Sequence, residues 1–327
     1  MRRKGPTGWE VAREAGVSQS TVSLVLSGRG DGRVAAATQE RVREAALRLG
    51  YRPHAAARSL RSGRSGLVVL MVPQVRNPLN PFFALVMNGA EQAAHEHGYS
   101  VVLAFGRPGP IFDVAASVDG ILVCSQPLPA LEGPGRIPAV LLDHAASREV
   151  PSVRMDVAAG MAAAVCHLAA LGHTRIGHVR SVFRTPTFQA RARAFRRATA
   201  PLAAEEVTAD LSAPSTERAV QGLLAPDAAR VTAVVCDDDL QAAGVYRAAQ
   251  RLGLRIPEQL SVVGFGNTDV ATMLYPSLTT VDLPGEQLGR TGMTVLLDQL
   301  QGGAPATRST LPTRLLERGS TAPPPGA

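Results

Sequence analysis

The sequence predicts a small all-α headpiece built on a helix-turn-helix, followed by a much larger α/β domain with parallel sheets. Three observations carry that prediction. The 327 residues support about two domains. Residues 1–66 show helical periodicity and hold 13 basic against 5 acidic residues, a net charge of +8, whereas the other 21 basic and 22 acidic residues sum to −1. From Leu67 onward, short apolar runs alternate with longer amphipathic stretches, the pattern of strands covered by helices on both faces.

The first helix starts at Thr7, which has Glu10 at capping-box spacing, and turns Val11, Ala12 and Ala15 to one side before Gly16 ends it. Ser18 caps a second helix, Gln19 to about Ser27, with Val22, Val25 and Leu26 inward and Gly28 as its stop. Its outward face carries Gln19, Ser20, Thr21 and Ser23. Such small polar side chains reach base edges or phosphates when a helix lies in the major groove, and they equally suit a plain solvated face. A third helix runs from about Ala36 to Leu49 and is closed by Gly50. The basic segment Arg52–Arg61 follows, then Ser62–Gly66. Two helical turns without a partner face are marginal in water, so this segment is either a flexible linker or a helix formed on DNA. In the second case Arg58 and Arg61 neutralise phosphates and Leu60 wedges between base steps of the minor groove.

In the remainder, strands are expected at Leu67–Val72, Tyr99–Phe105, Gly120–Cys124, Ala139–Leu142, Arg175–Val179, Thr232–Cys236 and Ser261–Phe265. Helices are expected at Phe82–His97, Ala158–Leu171, Gln189–Ala200, Leu240–Leu252 and Glu286–Leu300. Ligands of parallel α/β folds bind beyond the carboxyl ends of strands. There the chain places Phe82 and Phe83, able to stack on a ring or fill a core; Arg191, a bidentate fork or one surface arginine among several; and Asp237–Asp239, hydroxyl acceptors or a helix N-cap cluster.

These residues carry a resemblance. The run Glu10-Val-Ala-Arg-Glu-Ala-Gly-Val-Ser-Gln-Ser-Thr-Val-Ser23, Arg41-Val42, Leu49-Gly-Tyr-Arg-Pro53 and Ala55-Ala-Ala-Arg-Ser-Leu60 is similar, in order and spacing, to the headpiece and hinge of the LacI/GalR family of bacterial transcription regulators. Val118–Val123, Ile137–Asp143, Leu168–His173, Leu260–Phe265, Leu278–Val281 and Leu311–Arg314 resemble its effector domain, so the likeness spans about Thr7 to Pro323.

The resemblance implies domains of residues 1–52 (DNA-binding), 53–66 (hinge helix and linker) and 67–327 (a bilobal, periplasmic-binding-protein-like effector and dimerisation domain with three crossovers). It implies a homodimer on double-stranded operator DNA. By motif position, Gln19 and Ser20 read bases, Thr7, Thr21 and Ser23 contact phosphates beside the cap Ser18, and Leu60 intercalates from a hinge that includes Ala57, Arg58 and Arg61. Leu24 replaces a base-reading arginine of the family and suits a thymine methyl instead. Around a sugar-like effector, Arg191 grips, Asp239 takes hydroxyls, Phe82 and Phe83 line the cleft, and Asp156 is a further polar position. Leu211 stands where relatives often have an aromatic, and Gly264-Phe265-Gly266-Asn267 departs from the family's Gly-Phe-Asp-Asp.

Other classes fit less well. Asp237–Asp239 as a Mg²⁺ site and Gly264–Asp269 as a phosphate loop come with no nucleophile, base or lysine, and His95-Glu96-His97 has the wrong spacing for a helical zinc pair, so no enzyme, cofactor or metal is expected. No apolar run reaches the roughly 18 residues of a membrane helix, and no apolar segment follows Arg2-Arg3-Lys4. The three separated cysteines read as buried hydrophobes of a reducing, cytoplasmic, nucleoid-associated protein. Ser320–Ala327 contains no heptads to build a tetramer.

Overall fold

The computed structural model describes residues 6–26, 30–51, 64–73, 81–105, 118–125, 137–144, 150–225, 230–304 and 308–326. The chain divides into two compact units, Met1–Gly66 and Leu67–Ala327.

The first unit contains α1 (Gly8–Ala15), α2 (Gln19–Leu26) and α3 (Ala36–Leu49) around a core of Val11, Ala12, Ala15, Val22, Val25, Val42, Ala45 and Ala46. The capping box forms as expected: the Thr7 amide donates to Glu10 Oε2 at 2.6 Å, and the Glu10 amide returns a bond to Thr7 Oγ1 at 3.4 Å. Gly16 closes α1 at φ 63°, a left-handed conformation that glycine adopts without strain. The Thr21 amide donates to Ser18 Oγ at 3.1 Å, which satisfies one free donor at the start of α2. The expected stop at Gly28 lies outside the described residues.

The second unit holds two six-stranded sheets. The first orders β1 (Leu67–Val72), β2 (Ser100–Phe105), β3 (Gly120–Cys124), β4 (Ala139–Leu142), β5 (Ser152–Met155) and β11 (Arg308–Leu311) as β11-β5-β4-β3-β1-β2. The second orders β6 (Arg175–Ser181), β7 (Ala203–Ala209), β8 (Ala233–Cys236), β9 (Ser261–Gly266), β10 (Thr279–Asp282) and β12 (Arg314–Leu316) as β12-β10-β9-β8-β6-β7. Every recorded pairing is parallel except that of β10 with β12. The chain crosses between lobes three times, after β5, after β10 and between β11 and β12.

Helices α4 (Pro81–Glu96) and α10 (Gly285–Leu300) belong to the first lobe. The second carries α5 (Val157–Ala170), α6 (Pro186–Ala198), α7 (Ala213–Ala219), α8 (Asp239–Arg251) and α9 (Asp269–Met273). One hydrophobic core runs through both lobes, from Val68, Leu122 and Leu142 through Met161 and Leu168 to Ile176, Val263 and Phe265. A second core fills the far face of the second sheet under α8. Among the described residues, no helix is long and apolar enough to cross a membrane.

Candidate functional site

The carboxyl ends of the strands converge on a cleft between the two lobes. Pro73 follows β1, Ser125 follows β3 and Asp143 follows β4. On the opposite side Phe183, Leu211 and Asp238 lie two residues beyond β6, β7 and β8, Gly266 ends β9, and Leu283 follows β10. Phe82 and Phe83 at the start of α4 meet edge to face with ring centroids 5.6 Å apart, and Phe188 and Phe265 face them from the second lobe. Five of the eight phenylalanines of the chain therefore line this one cleft, a mostly apolar wall with a few fixed polar groups, as small-molecule sites usually have.

The polar groups centre on Arg191, which is 4% exposed. Its guanidinium carbon lies 4.1 Å from the ring centroid of Phe265 and 4.9 Å from that of Phe188, so two rings fix the plane of the fork. Nη1 donates to the Asp237 carbonyl, while Nε has no partner among the described residues. Among the described residues the Thr185 hydroxyl, at the start of the same helix, is also buried without a partner, whereas the Thr187 hydroxyl hydrogen-bonds toward Asp143 of the facing wall. Two polar atoms on one wall, Arg191 Nε and Thr185 Oγ1, thus await hydrogen bonds, and a buried polar group left unpaired costs about 1–3 kcal/mol. On the facing wall Ser125 donates to Asp143 Oδ2 at 3.0 Å. Both residues have positive φ, 50° and 49°, a strained conformation of the kind that clusters at ligand sites.

Charge is balanced through burial. Burial pushes the Asp143 carboxyl up, against the opposing effects of the Arg191 cation and the Ser125 hydroxyl. Burial likewise lowers Arg191, countered by Asp237 and Asp143. Beneath the cleft, Asp237 accepts from His178 Nε2 at 3.1 Å and from the Ser181 amide at 2.8 Å. Burial raises its pKa, but His178, Arg191 and the Ser181 N–H together hold it below the ordinary carboxylate value. The Asp237 carboxylate therefore ties the end of β8 to β6, while its backbone carbonyl holds Arg191.

The structure brings together Phe82, Phe83, Arg191 and Leu211, and it corrects two expectations. Asp239 does not face the cleft. It is fully buried, accepting from the Thr268 amide at 2.8 Å, the Thr268 hydroxyl at 3.0 Å and the Thr280 hydroxyl at 2.6 Å, and its neighbour Asp238 lines the cleft instead. Asp156 does not line it either, because its carboxylate caps α5 by accepting from the Ala159 amide at 3.1 Å. Sequence reading missed Ser125, Asp143, Phe183, Thr185, Thr187 and Phe188. Each follows a strand end within seven residues, which is the signal that could have found them.

In the headpiece, Gln19 and Ser20 are exposed and Thr21, Ser23 and Leu24 half-buried along α2. Ser18 Oγ lies 2.7 Å from Ser20 Oγ and 2.8 Å from Thr21 Oγ1, which orders these hydroxyls as a set. The Thr7 hydroxyl is engaged with Glu10 in the capping box at 3.0 Å. Ala57, Arg58, Leu60 and Arg61 lie outside the described residues.

Residues 9–54 match the profile of the bacterial regulatory proteins of the lacI family, and residues 165–321 match that of the periplasmic binding protein-like domain. The HTH-type transcriptional regulator reg1 of Streptomyces lividans is 37% identical, covering 97% of this chain and 97% of its own length. The chain belongs to the LacI family. The HTH-type transcriptional repressor CytR of Escherichia coli strain K12 is 32% identical over 95% of each protein. Among solved structures, the lac repressor dimer bound to operator and the anti-inducer ONPF overlays on this LacI-family chain with a TM-score of 0.83 at 27% identity, covering 98% of this chain and 100% of that one. The complex of the regulator CelR with cellobiose overlays with a TM-score of 0.69 at 30% identity, covering 96% and 99%. The protein is thus a helix-turn-helix transcriptional regulator, and these relatives are regulators rather than enzymes.

Proposed function

We propose that the protein is a cytoplasmic, nucleoid-associated homodimeric repressor whose two headpieces occupy a pseudo-palindromic operator and whose DNA affinity is set by an uncharged, sugar-like molecule in the interlobe cleft. The single observation that carries the effector half is the wall formed by Thr185 and Arg191, where, among the described residues, two buried polar atoms lack partners beside five phenylalanine rings. Asp143 and Asp238 against a single Arg191 disfavour an anionic ligand, while hydroxyl donors suit the two carboxylates and ring faces suit the phenylalanines. Residues 1–52 read DNA, 53–66 act as the hinge and 67–327 sense the ligand and dimerise. Exposed apolar side chains support self-association: Leu103 and Phe105 on one face of edge strand β2, and Met273 with the 95% exposed Tyr275.

Ligand binding alters the relative angle of the lobes, and the marginal 53–66 segments form or melt in response, with Leu60 entering the minor groove when they form. Substituting each end of this path tests it. Leu60→Ala is expected to weaken operator binding while leaving the ligand-induced rise in melting temperature intact. Arg191→Ala is expected to abolish that rise while leaving unliganded DNA binding intact. If each substitution impairs both activities, and only in proportion to lost folded protein, the two-site scheme fails.

A further inference from the structure

A second cavity, of ≈ 270 Å³, adjoins the interlobe cleft within the second lobe and shares Phe183 and Phe188 with it. It lies on the α6 face of the pair β6 and β7. Register partners of a parallel pair point to the same face, and Arg180 is partner to Thr208 as His178 is to Glu206. Phe195 of α6 packs on His178 with ring centroids 4.5 Å apart, and Arg196 of α6 pairs with Glu206 at 2.7 Å, so this is the face that α6 covers. Toward the carboxyl ends of the strands, Arg180 and Thr208, Phe188 and Gln189 of the helix, and Arg184 of the connecting loop surround the space.

The charge here is the reverse of that in the cleft. Both carboxylates at this face are already matched, Glu206 by Arg180 at 3.2 Å and by Arg196, and Asp237 by His178 and the Ser181 amide. Arg184 is exposed, and its guanidinium has no ion-pair partner among the described residues. Ser181 Oγ accepts from the Phe183 amide at 3.1 Å, which leaves its own proton, like that of Thr208, to donate.

We propose that this cavity is a second ligand site, for a small molecule with an apolar body and one carboxylate or phosphate group. Arg184 and Arg180 hold the oxyanion, whose geometry the arginine fork matches, and Phe183 and Phe188 pack on the body. Because the same two rings line the interlobe cleft, occupancy of one site changes the affinity of the other, a step that rests on the effector reading above.

Calorimetric titration of the full-length protein at fixed ionic strength tests the site, with benzoate and phenyl phosphate as probes and benzyl alcohol as their uncharged counterpart. At least one anion is expected to bind once per chain, which also tells a carboxylate site from a phosphate site, and benzyl alcohol at least about tenfold more weakly. Arg184→Gln, at an exposed position, should keep the melting temperature and weaken the anion at least about tenfold, whereas Arg191→Ala leaves it bound. Thr208→Phe fills the cavity without removing a charge and should weaken it too. The proposal is overturned if neither anion binds, or if Arg184→Gln and Thr208→Phe both bind as the parent does. It is also overturned if Arg191→Ala alone removes binding, which would put the anion in the interlobe cleft. Saturating anion should change the Kd of a neutral glycoside at least about 5-fold, and an unchanged Kd overturns the coupling. Anion binding with no glycoside bound at all contradicts the effector reading, and the coupling with it, while the anion site stands.

Discussion

Asp239 holds three hydrogen bonds inside the second lobe, and burial raises its pKa against the lowering effect of the Thr280 and Thr268 donors. Asp238, one residue earlier, caps α8 through the Leu240 amide at 2.8 Å and lines the cleft. Asp239→Ala leaves three donors facing a dry site, so it is expected to cost at least about 2 kcal/mol of stability. Asp238→Ser keeps a capping oxygen and removes the carboxylate. Stability should hold within about 0.5 kcal/mol, while the thermal shift produced by a cleft ligand shrinks. Thermal unfolding of both variants with and without ligand checks the pair, and the opposite pattern would return the ligand role to Asp239. The sequence shows three consecutive aspartates after a strand, which marks the right turn of chain. It does not show which carboxylate the helix start rotates inward, because one residue of helix changes direction by about 100°. The same limit hides Ser125 and Asp143, whose positive φ belongs to the folded backbone alone.

At the scale of elements, the closest packing in the first lobe is between α4 and α10. A Cβ on Gly89 would lie 1.9 Å from the Glu286 carbonyl oxygen, and one on Gly289 would lie 2.0 Å from that of Val86, so the two backbones touch. Gly289→Ala is expected to lower stability by about 1–3 kcal/mol through overpacking, read as a shift in denaturant midpoint. Gly222→Ala, with nothing within 4 Å of the new Cβ, should shift it little. Long amphipathic helices and buried strands were legible because periodicity and apolar runs persist over many residues. Helix α6 begins at Pro186, three residues before the expected Gln189, because proline is well placed in the first turn, and this puts Arg191 in the second turn. Strand β7 was not legible: Ala-Ala-Glu-Glu-Val-Thr-Ala is a mostly exposed edge segment of low strand propensity, held by backbone pairing with β6. Helices α7 and α9 are too short for periodicity to reveal, and β5, β11 and β12 are three or four residues long.

For the whole molecule, three chain crossings place eight strand ends around one cleft, and residues from both lobes must meet for its polar groups to be completed. In the proposed scheme, a ligand bridging Asp143 and Ser125 on one side to Arg191 on the other favours one lobe angle by its differential affinity for that state. In the same scheme the basic N-terminal 66 residues supply the affinity for phosphate, and the nearly neutral remainder determines when it is used. The central claim is that these two functions are thermodynamically coupled. The most direct measurement is the Kd of full-length protein for a genomic duplex that it retains, taken by anisotropy at fixed salt with and without a neutral glycoside that raises its melting temperature. The account predicts a change in Kd of between about 5- and 150-fold, absent in Arg191→Ala. An unchanged Kd at saturating glycoside would contradict it.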